Sequence, residues 1–398
     1  MQHFDVAIVG AGPAGAWAAH ELARRGARVG LFDASHPREK PCGGGVTRRA
    51  LALVAPALRM RGPSAVVIEG VRFEASASHR ANVALEAQGH DDSSLLVYSR
   101  ESFDLALVRA AVEAGATWRT ERVRDVDVSR DGARLVTSSG TYRSDALIGA
   151  DGVNSLVRRR LSSPFARGQL SFTTGVFAHG LSASEIVVRF VPQPQGYIWS
   201  FPRPDHLALG IGAQADETRP EPLRRILNDW MAEARLTDGA RLKPYSWPIP
   251  SLNASDLARQ IVSGPRWLLV GDAGGLVDPM TREGIYFALR SGELAAEALA
   301  AGDESRRYRA ALTDEIYPEI EHASSWKRGL FTGPFIHLLV HGLQRSNRVR
   351  TVMSDLIAGQ QSYRSLKRRL LRTFQIGLAW QLLRIERSSL RSPPASFG

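Results

Sequence analysis

The sequence predicts an α/β protein with a parallel-sheet domain, an antiparallel-sheet domain and a helical C-terminal region. Three observations predict this fold. A glycine-rich turn follows an apolar strand at the beginning of the chain, and a second such turn follows another apolar strand about 260 residues later. Between them lie mainly strand patterns with prolines and aromatics. We therefore expect a discontinuous first domain (1–72, 98–160 and 262–302), a second domain (73–97 and 161–261) and a basic helical C-terminal region (303–398).

The first glycine-rich turn has the pattern of a Rossmann-like dinucleotide site. The apolar strand Val6–Val9 leads directly into a Gly-x-Gly-x-x-Gly sequence. We expect Gly10 to make the tight turn, Gly12 to let the backbone approach a pyrophosphate, and Gly15 to let the next helix pack closely on the strand. That helix begins near Ala14, and its N-terminal amides would point at the phosphates.

An acid at the end of the second strand supports the same interpretation. The second expected strand, 28–32, is followed directly by Asp33. Asp33 lies about 20 residues beyond the glycines, where an acid binds a ribose hydroxyl. An unphosphorylated ribose fits beside an acid. FAD or NAD is therefore favoured over NADP as the resident nucleotide.

The second glycine-rich turn makes FAD the expected cofactor. The strand 266–270 runs into a glycine and an acid, and a long helix follows. The first turn alone indicates a dinucleotide, whereas the two together indicate a flavin site. The residues of this second half that we expect at the cofactor are Gly271, Asp272, Pro279, Gly284 and Ile285.

Composition indicates an ordinary globular enzyme. The chain has 398 residues, of which 44% are hydrophobic and 23% charged, enough for a large core. Its single cysteine, Cys42, excludes an internal disulfide and suits a reducing compartment, so we expect a cytoplasmic protein. Cys and His do not cluster at metal-ligand spacing, which predicts no metal. No stretch approaches about 18 uncharged apolar residues, so we expect no membrane span.

The net charge of +11 is concentrated in the C-terminal region, where 341–398 carries eleven Lys and Arg but only two acids. There Tyr363, Leu366, Leu370 and Phe374 recur at helical spacing, with basic residues largely off that stripe. One interpretation is a peripheral contact with the inner face of the membrane. The other is a solvated helix whose apolar stripe packs on the protein. No recognition motif accompanies the charge, so we expect no nucleic-acid partner.

Several motifs resemble the p-hydroxybenzoate hydroxylase branch of the glutathione-reductase-like FAD fold. Asp151-Gly152 and Gly271-Asp272 match two of that branch's recurring motifs. The resemblance implies that Asp272 reaches the ribityl chain and that Arg100 contacts FAD near its phosphates and ribityl chain. It also implies that the backbone of Val123 meets the adenine.

Within that branch, finer motifs resemble the geranylgeranyl reductase family. The matches are Lys40-Pro-Cys42-Gly43-Gly44-Gly45, the segment Gly196-Tyr-Ile-Trp-Ser-Phe-Pro202, and 271–292. They imply that Cys42, Gly43 and Gly45 lie at the cofactor and that Tyr197, Trp199 and Phe201 line a substrate cavity. The resemblance covers about residues 3–300. Arg282 departs from it, standing where the familiar pattern has glycine; it would pair with a substrate head group or point to solvent.

Each candidate also has a structural interpretation. Cys42 is either a small residue that allows close approach to the flavin or a redox or proton-donating group. Cys42, Tyr197 and Trp199 are the catalytic candidates. The alternation of Tyr197, Trp199 and Phe201 places three aromatics on one face of a strand, a stripe that is more often core than site. The resemblance favours the site.

The resulting hypothesis is an FAD-dependent reductase that saturates C=C double bonds of an isoprenoid or similar lipid. One alternative is an FAD-dependent monooxygenase or halogenase acting on an aromatic or polyketide substrate. A third is a non-catalytic flavin-bearing lipid-binding protein. No second dinucleotide motif is evident, so the sequence does not identify the electron donor, for which NADPH and a ferredoxin are the candidates. Substrate identity and oligomeric state stay open.

Overall fold

A computed structural model describes residues 2–58, 62–85, 95–236, 238–359 and 363–372. Its strands, in chain order, are β1 (His3–Val9), β2 (Val29–Phe32), β3 (Gly45–Val46), β4 (Ala65–Val67), β5 (Gly70–Glu74), β6 (Arg80–Ala84), β7 (Leu96–Tyr98), β8 (Thr117–Arg119), β9 (Val123–Ser129), β10 (Gly132–Thr137), β11 (Thr141–Gly149), β12 (Leu170–His179), β13 (Glu185–Val191), β14 (Gly196–Pro202), β15 (His206–Gln214), β16 (Arg241–Pro250), β17 (Ser263–Gly264) and β18 (Trp267–Leu269).

The helices alternate with the strands at first and then follow one another. They are α1 (Pro13–Arg24), α2 (Arg48–Leu58), α3 (Arg100–Glu113), α4 (Leu156–Leu161), α5 (Pro220–Glu233), α6 (Ala254–Arg259), α7 (Ile285–Ala301), α8 (Glu304–Ala311), α9 (Tyr317–Leu330), α10 (Gly333–Arg345), α11 (Asn347–Ile357) and α12 (Tyr363–Arg372). A π-helical turn, Leu312–Ile316, joins α8 to α9. The predicted mixed α/β fold class is confirmed.

The first sheet has the strand order β17-β18-β11-β1-β2-β8, and the hairpin β9-β10 extends it from β11. β1 lies between β11 and β2 and runs parallel to both, while β18 runs parallel to β11. The carboxyl ends of these parallel strands therefore meet at one edge. Gly10, Asp33, Ala150 and Gly271 follow β1, β2, β11 and β18, so residues far apart in sequence meet there.

The second sheet has the order β16-β12-β15-β14-β13-β5-β6 and is antiparallel except where β5 pairs with β13. α5 packs against one face of this sheet, a helix that the strand-rich interpretation of 161–261 did not include. Its apolar positions Leu223, Leu227, Trp230 and Met231 have the spacing of a helical stripe, which was the available signal.

The segment 73–97, which we expected in the second domain, divides between two sheets. β5 and β6 join the second sheet, whereas β7 pairs with β3 and β4 in a small third sheet. The reason is a local backbone pairing: Tyr98 N donates to Gly44 O (3.0 Å), which ties β7 to the glycine loop.

Helices α9 to α12 complete a second apolar core with β5, β6 and β13. Tyr363 and Leu366, the first two residues of the predicted apolar stripe, are buried in this core, while Arg364 beside them is exposed. Phe374 lies outside the described residues, so a membrane contact of this region stays a prediction. Within the described ranges, no helix is long and apolar enough to span a membrane.

Candidate functional site

The glycines after β1 form an open cradle in front of α1. Gly10 has φ +104°, and a Cβ added there would lie 2.3 Å from Ala150 O. A Cβ added to Gly15 would lie 1.9 Å from Gly10 O, so glycine is required for the strand and helix to pack. A Cβ on Gly12 would meet nothing nearer than His36 Nε2 at 3.9 Å. The free space at Gly12, beside the N-terminus of α1, fits an approaching pyrophosphate.

Asp33 lies at the end of β2 and is bonded to the same loop. Its Oδ2 accepts from Ala11 N (2.9 Å) and pairs with His36 Nδ1 (2.8 Å), while Oδ1 accepts from Ser35 N (2.7 Å). Burial alone would raise the pKa of Asp33, but the contacts with His36 and Ala11 hold it well below its ordinary value. The ionised carboxylate can only accept, as binding of a ribose hydroxyl requires.

Arg100 lines the cavity from the first turn of α3, where its guanidinium binds Asp104 at two points (2.9 and 2.8 Å). Burial opposes the charge on Arg100, but the Asp104 carboxylate outweighs burial and raises its pKa. Asp104 also pairs with His36 Nε2 (3.3 Å). A buried network thus connects Arg100 to Asp33. The sequence had not indicated His36 or Asp104, because neither belongs to a recognised motif.

Val123 and Asp151, two further candidates, both line the cavity but make different contacts. Val123, at the start of β9, lines it directly. The Asp151 carboxylate is bonded to Ser155 Oγ (2.5 Å) and Leu156 N (2.6 Å) at the beginning of α4. Burial raises the pKa of Asp151. Its carboxylate therefore stabilises the start of α4.

The second glycine-rich half closes the cofactor end of the cavity. Asp272 Oδ2 accepts from Lys40 Nζ (2.9 Å), an ion pair that the sequence did not predict. A Cβ added to Gly284 would lie 3.5 Å from Asp272 Oδ1, which shows how closely this loop approaches. Asp272, Gly284 and Ile285 line the cavity, whereas Gly15, Gly271 and Pro279 are not among its lining residues. A Cβ on Gly271 would lie 3.0 Å from Ala14 Cβ, so Gly271 allows close packing.

The loop 41–45 contacts the substrate sheet directly. Gly44 has φ +83°, and a Cβ there would lie 2.4 Å from Tyr98 O; Cβ atoms on Gly43 and Gly45 would lie 3.0 and 3.2 Å from the Phe201 ring. Cys42 lines the cavity, and its Sγ accepts from Gly44 N (3.3 Å).

The same loop is held by a buried arginine that sequence reasoning missed. Arg203 follows the aromatic motif directly; it donates to Cys42 O and pairs with Glu39. Burial lowers the pKa of Arg203 to about 10. The partners of Arg203 are more than a hundred residues away in the chain, so no local pattern could reveal them.

Tyr197, Trp199 and Phe201 alternate along β14 and line one cavity of about 570 Å³ with Asp33 and Asp272. The Tyr197 and Trp199 ring centroids are 5.8 Å apart. A Cβ on the opposing Gly210 would lie 2.4 Å from the Trp199 indole, so this glycine provides space for the ring. The three aromatics therefore occupy the cavity face, as the resemblance implies.

The far end of the cavity is apolar and is formed by both the second sheet and the C-terminal helices. Its aliphatic and aromatic wall comes from β5, β13, α10, α11 and α12: Val71, Phe73, Ile186, Phe190, Phe335, Leu339, Val352, Leu356 and Leu366. The C-terminal region, which no motif placed, thus completes the cavity.

Among the described residues, two clusters have the composition of a metal site. One is His3, Asp5 and Asp145, of which His3 and Asp145 are exposed. In the other, His179, Asp205 and His206 have ligand atoms within 4.8 Å of one another, and His206 is buried. His179 and His206 are paired across β12 and β15, so sequence spacing could not bring them together. Nothing else in the structure indicates an ion there, and the absence of a metal stays a prediction.

Known proteins share this architecture. The FAD binding domain family model matches residues 3–312. A digeranylgeranylglycerophospholipid reductase from Methanothrix thermoacetophila is 30% identical over 75% of this chain and 79% of its own. A menaquinone reductase from Mycolicibacterium smegmatis is also 30% identical, over 75% of this chain and 76% of its own.

Solved structures show the same fold. A geranylgeranyl bacteriochlorophyll reductase-like protein from Thermoplasma acidophilum superposes with a TM-score of 0.77 at 20% identity, covering 94% of this chain and 100% of that one. The flavin-dependent brominase Bmp2 gives a TM-score of 0.70 at 20% identity, covering 94% and 100%.

Proposed function

Because this chain belongs to the geranylgeranyl reductase family of FAD-dependent oxidoreductases, we propose that it saturates C=C double bonds of an isoprenoid or a similar lipid. The observation that carries the proposal is a single cavity with two chemically different ends. At one end are the cradle at Gly12 and the acids Asp33 and Asp272. At the other are the apolar side chains of the second sheet and the C-terminal helices.

The cofactor end is built for a flavin dinucleotide. When bound and reduced, FAD supplies a hydride. Arg100, held by Asp104, presents its guanidinium in the cavity wall, and the Lys40–Asp272 pair holds the carboxylate that, by the family motif, would reach the ribityl chain. The N-terminus of α7, at Ile285, lines the same wall and favours negative charge nearby.

The substrate end acts by positioning and by excluding water. An isolated alkene develops no oxyanion, so the side chains must hold it close and keep the site dry. Trp199 is 6% exposed and Phe201 packs on the 41–45 loop, which brings the apolar wall directly to the cofactor end. An apolar chain extending toward Leu339 and Val352 would lie against their aliphatic side chains.

The monooxygenase or halogenase alternative has the same fold, as the brominase shows. Against it, the halogenase signature Trp-x-Trp-x-Ile-Pro is absent; the nearest sequence is Tyr197-Ile-Trp-Ser-Phe-Pro202. The apolar extension of the cavity also suits a lipid chain better than a compact aromatic substrate. A non-catalytic lipid-binding protein would not need glycines to frame the cofactor end so closely.

A bulky substitution that narrows the apolar end of the cavity tests the proposal. Leu339 is 5% exposed and lines it, so Leu339→Trp would fill space that a long chain needs. We expect this variant to retain FAD and to reduce a ten-carbon prenyl substrate, while its turnover of a twenty-carbon substrate falls at least tenfold. Leu242→Trp, at an exposed position, is the matched control. Equal loss for both chain lengths, with FAD retained, would contradict a lipid site at α10.

The electron donor belongs to the same proposal. We expect NADPH or a ferredoxin to reduce the holoenzyme transiently. Anaerobic bleaching of the flavin by each donor in turn distinguishes the two.

A further inference from the structure

Arg282 occupies a backbone position that favours glycine. Its φ is +61°, in the left-handed region, and the turn around it is fixed by Asp278. Asp278 Oδ1 accepts from Met280 N (2.7 Å) and Thr281 N (3.0 Å), and Asp278 O accepts from Arg282 N (2.9 Å). A strained arginine is retained in a tightly bonded loop, so its side chain is a candidate for function.

The guanidinium nitrogens of Arg282 are buried, and no carboxylate among the described residues forms an ion pair with them. It lies over the Tyr197 ring, 4.7 Å from the ring centroid. In the described part of the chain, Nε, Nη1 and Nη2 are all buried and have no hydrogen-bond partner. Burying such a cation is costly, because contact with the Tyr197 ring replaces only part of the lost hydration. Such a group is stabilised by any anion that reaches it.

The buried amine of Lys327 is influenced by the charge of Arg282. Lys327 of α9 donates to Ser251 Oγ (2.8 Å) and to Gln214 Oε1, both neutral oxygens. Burial, and next the charge of Arg282, lower the pKa of Lys327 to about 7. Three acids act on Lys327 in the opposite direction, namely Asp216, Glu217 and Asp278.

Of these acids, Asp278 belongs to the loop of Arg282, and its carboxylate already accepts hydrogen bonds from other groups. Asp278 is 2% exposed, and its Oδ2 accepts from Tyr363 OH (2.6 Å) while Oδ1 accepts the two backbone amides of the turn. Its carboxylate is therefore committed to the loop and to α12. Among the described residues it forms no ion pair with Arg282, whose guanidinium nitrogens stay without a hydrogen-bond partner.

We propose that Arg282 binds an anionic oxygen group of the substrate, a carboxylate or a phosphate. The inference rests on the proposed function and narrows its substrate class. The loop of Arg282 leads within three residues to Ile285 at the cofactor end, and Tyr197 contacts both Arg282 and Phe331 of the apolar core (centroids 6.2 Å apart). The substrate is thus an amphiphile with its charged group near the reducible bond and its chain among the C-terminal helices.

Binding to the oxidised holoenzyme tests this without turnover. The probes are dodecyl phosphate, dodecanoate and dodecanol, matched in chain length, with affinities measured by calorimetry. We expect one or both anions to bind at least tenfold more tightly than the alcohol to the wild type. Arg282→Gly, which suits the backbone, and Arg282→Gln should abolish that preference and leave alcohol binding unchanged. Arg282→Lys should retain part of it.

Arg306→Gln is the control, since it removes the same charge from an exposed side chain. FAD absorbance and melting temperature verify that each variant is folded and loaded. A preference for only one anion identifies the group as carboxylate or phosphate. Equal binding of all three probes, no measurable binding of the anions, or a preference that survives in Arg282→Gly would overturn the inference. Charge preference without any C=C reduction would instead refute the proposed function alone.

Discussion

Gly12 and Gly15, three and six residues after the end of β1, should respond to substitution in opposite ways. Gly12 has φ −69° and ψ −178°, which any residue adopts, and a Cβ there meets nothing within 3.9 Å. Gly12→Val should therefore fold, losing about 1 kcal/mol or less as an unfavourable N-cap. Its methyl groups would occupy the space that a pyrophosphate needs. We expect FAD affinity to fall at least 100-fold, equivalent to about 2.7 kcal/mol.

Gly15→Ala should mainly lower the stability of the fold, whereas Gly12→Val mainly lowers FAD affinity. A Cβ at this position would lie 1.9 Å from Gly10 O, a backbone atom, so α1 or the turn must move by about 1 Å. Overpacking of this kind costs about 3 kcal/mol or more. We expect the Gly15→Ala protein to unfold earlier even without cofactor.

Apoprotein melting and titration with FAD, followed by flavin fluorescence, measure the two effects separately. Yellow Gly12→Val protein with wild-type FAD affinity would refute the cofactor assignment. Stability of Gly15→Ala equal to that of Gly12→Val would refute the packing argument.

Three further outcomes follow from contacts described above. Trp199→Ala should retain FAD and lower lipid turnover at least tenfold in an anaerobic assay; loss of FAD would show that Trp199 belongs to the cofactor site. Tyr363→Phe leaves one buried oxygen of the Asp278 carboxylate without its donor and should lower the free energy of unfolding by about 2 kcal/mol in urea. Tyr308→Phe, which frees a neutral carbonyl, should cost only about 1 kcal/mol, and equal costs would contradict the charged acceptor. Lys327 loses its proton near pH 7 in the folded chain but near its ordinary pKa of 10.5 when unfolded. The free energy of unfolding should therefore rise from pH 7 to 9 by about 2 kcal/mol more than in Lys327→Met. Parallel pH profiles of the two proteins would show that Lys327 is not buried as described.

Features encoded by neighbouring residues could be predicted from the sequence. The strand, the turn at Gly10 and the helix after it are adjacent in the chain, so their geometry follows from local rules. The alternation of Tyr197, Trp199 and Phe201 likewise predicts one face of a strand, and the structure places all three at the cavity.

Contacts between distant segments could not be predicted. Lys40 pairs with Asp272 across 232 residues, and Arg203 reaches Cys42 across 161. Neither pairing leaves a periodic signal. Arg282 was recognised as a departure from the family pattern, but its burial against Tyr197 depends on the packing of β14 on the loop.

The position of the C-terminal region could be predicted from the sequence only in part. Its helical and basic character could be predicted, but its apolar stripe was equally compatible with membrane contact and with packing. Tyr363 and Leu366 pack into the second core because α9 to α11 present an apolar surface there. Only the tertiary arrangement of those helices reveals this.

The most direct test of the central claim is anaerobic turnover of the photoreduced enzyme with geranylgeranyl substrates, followed by mass spectrometry of the product. A lipid reductase should reoxidise its flavin without oxygen and add two hydrogens for each bond reduced. Flavin that stays reduced until oxygen is admitted, and then gives an oxygenated or halogenated product, would contradict the reductase.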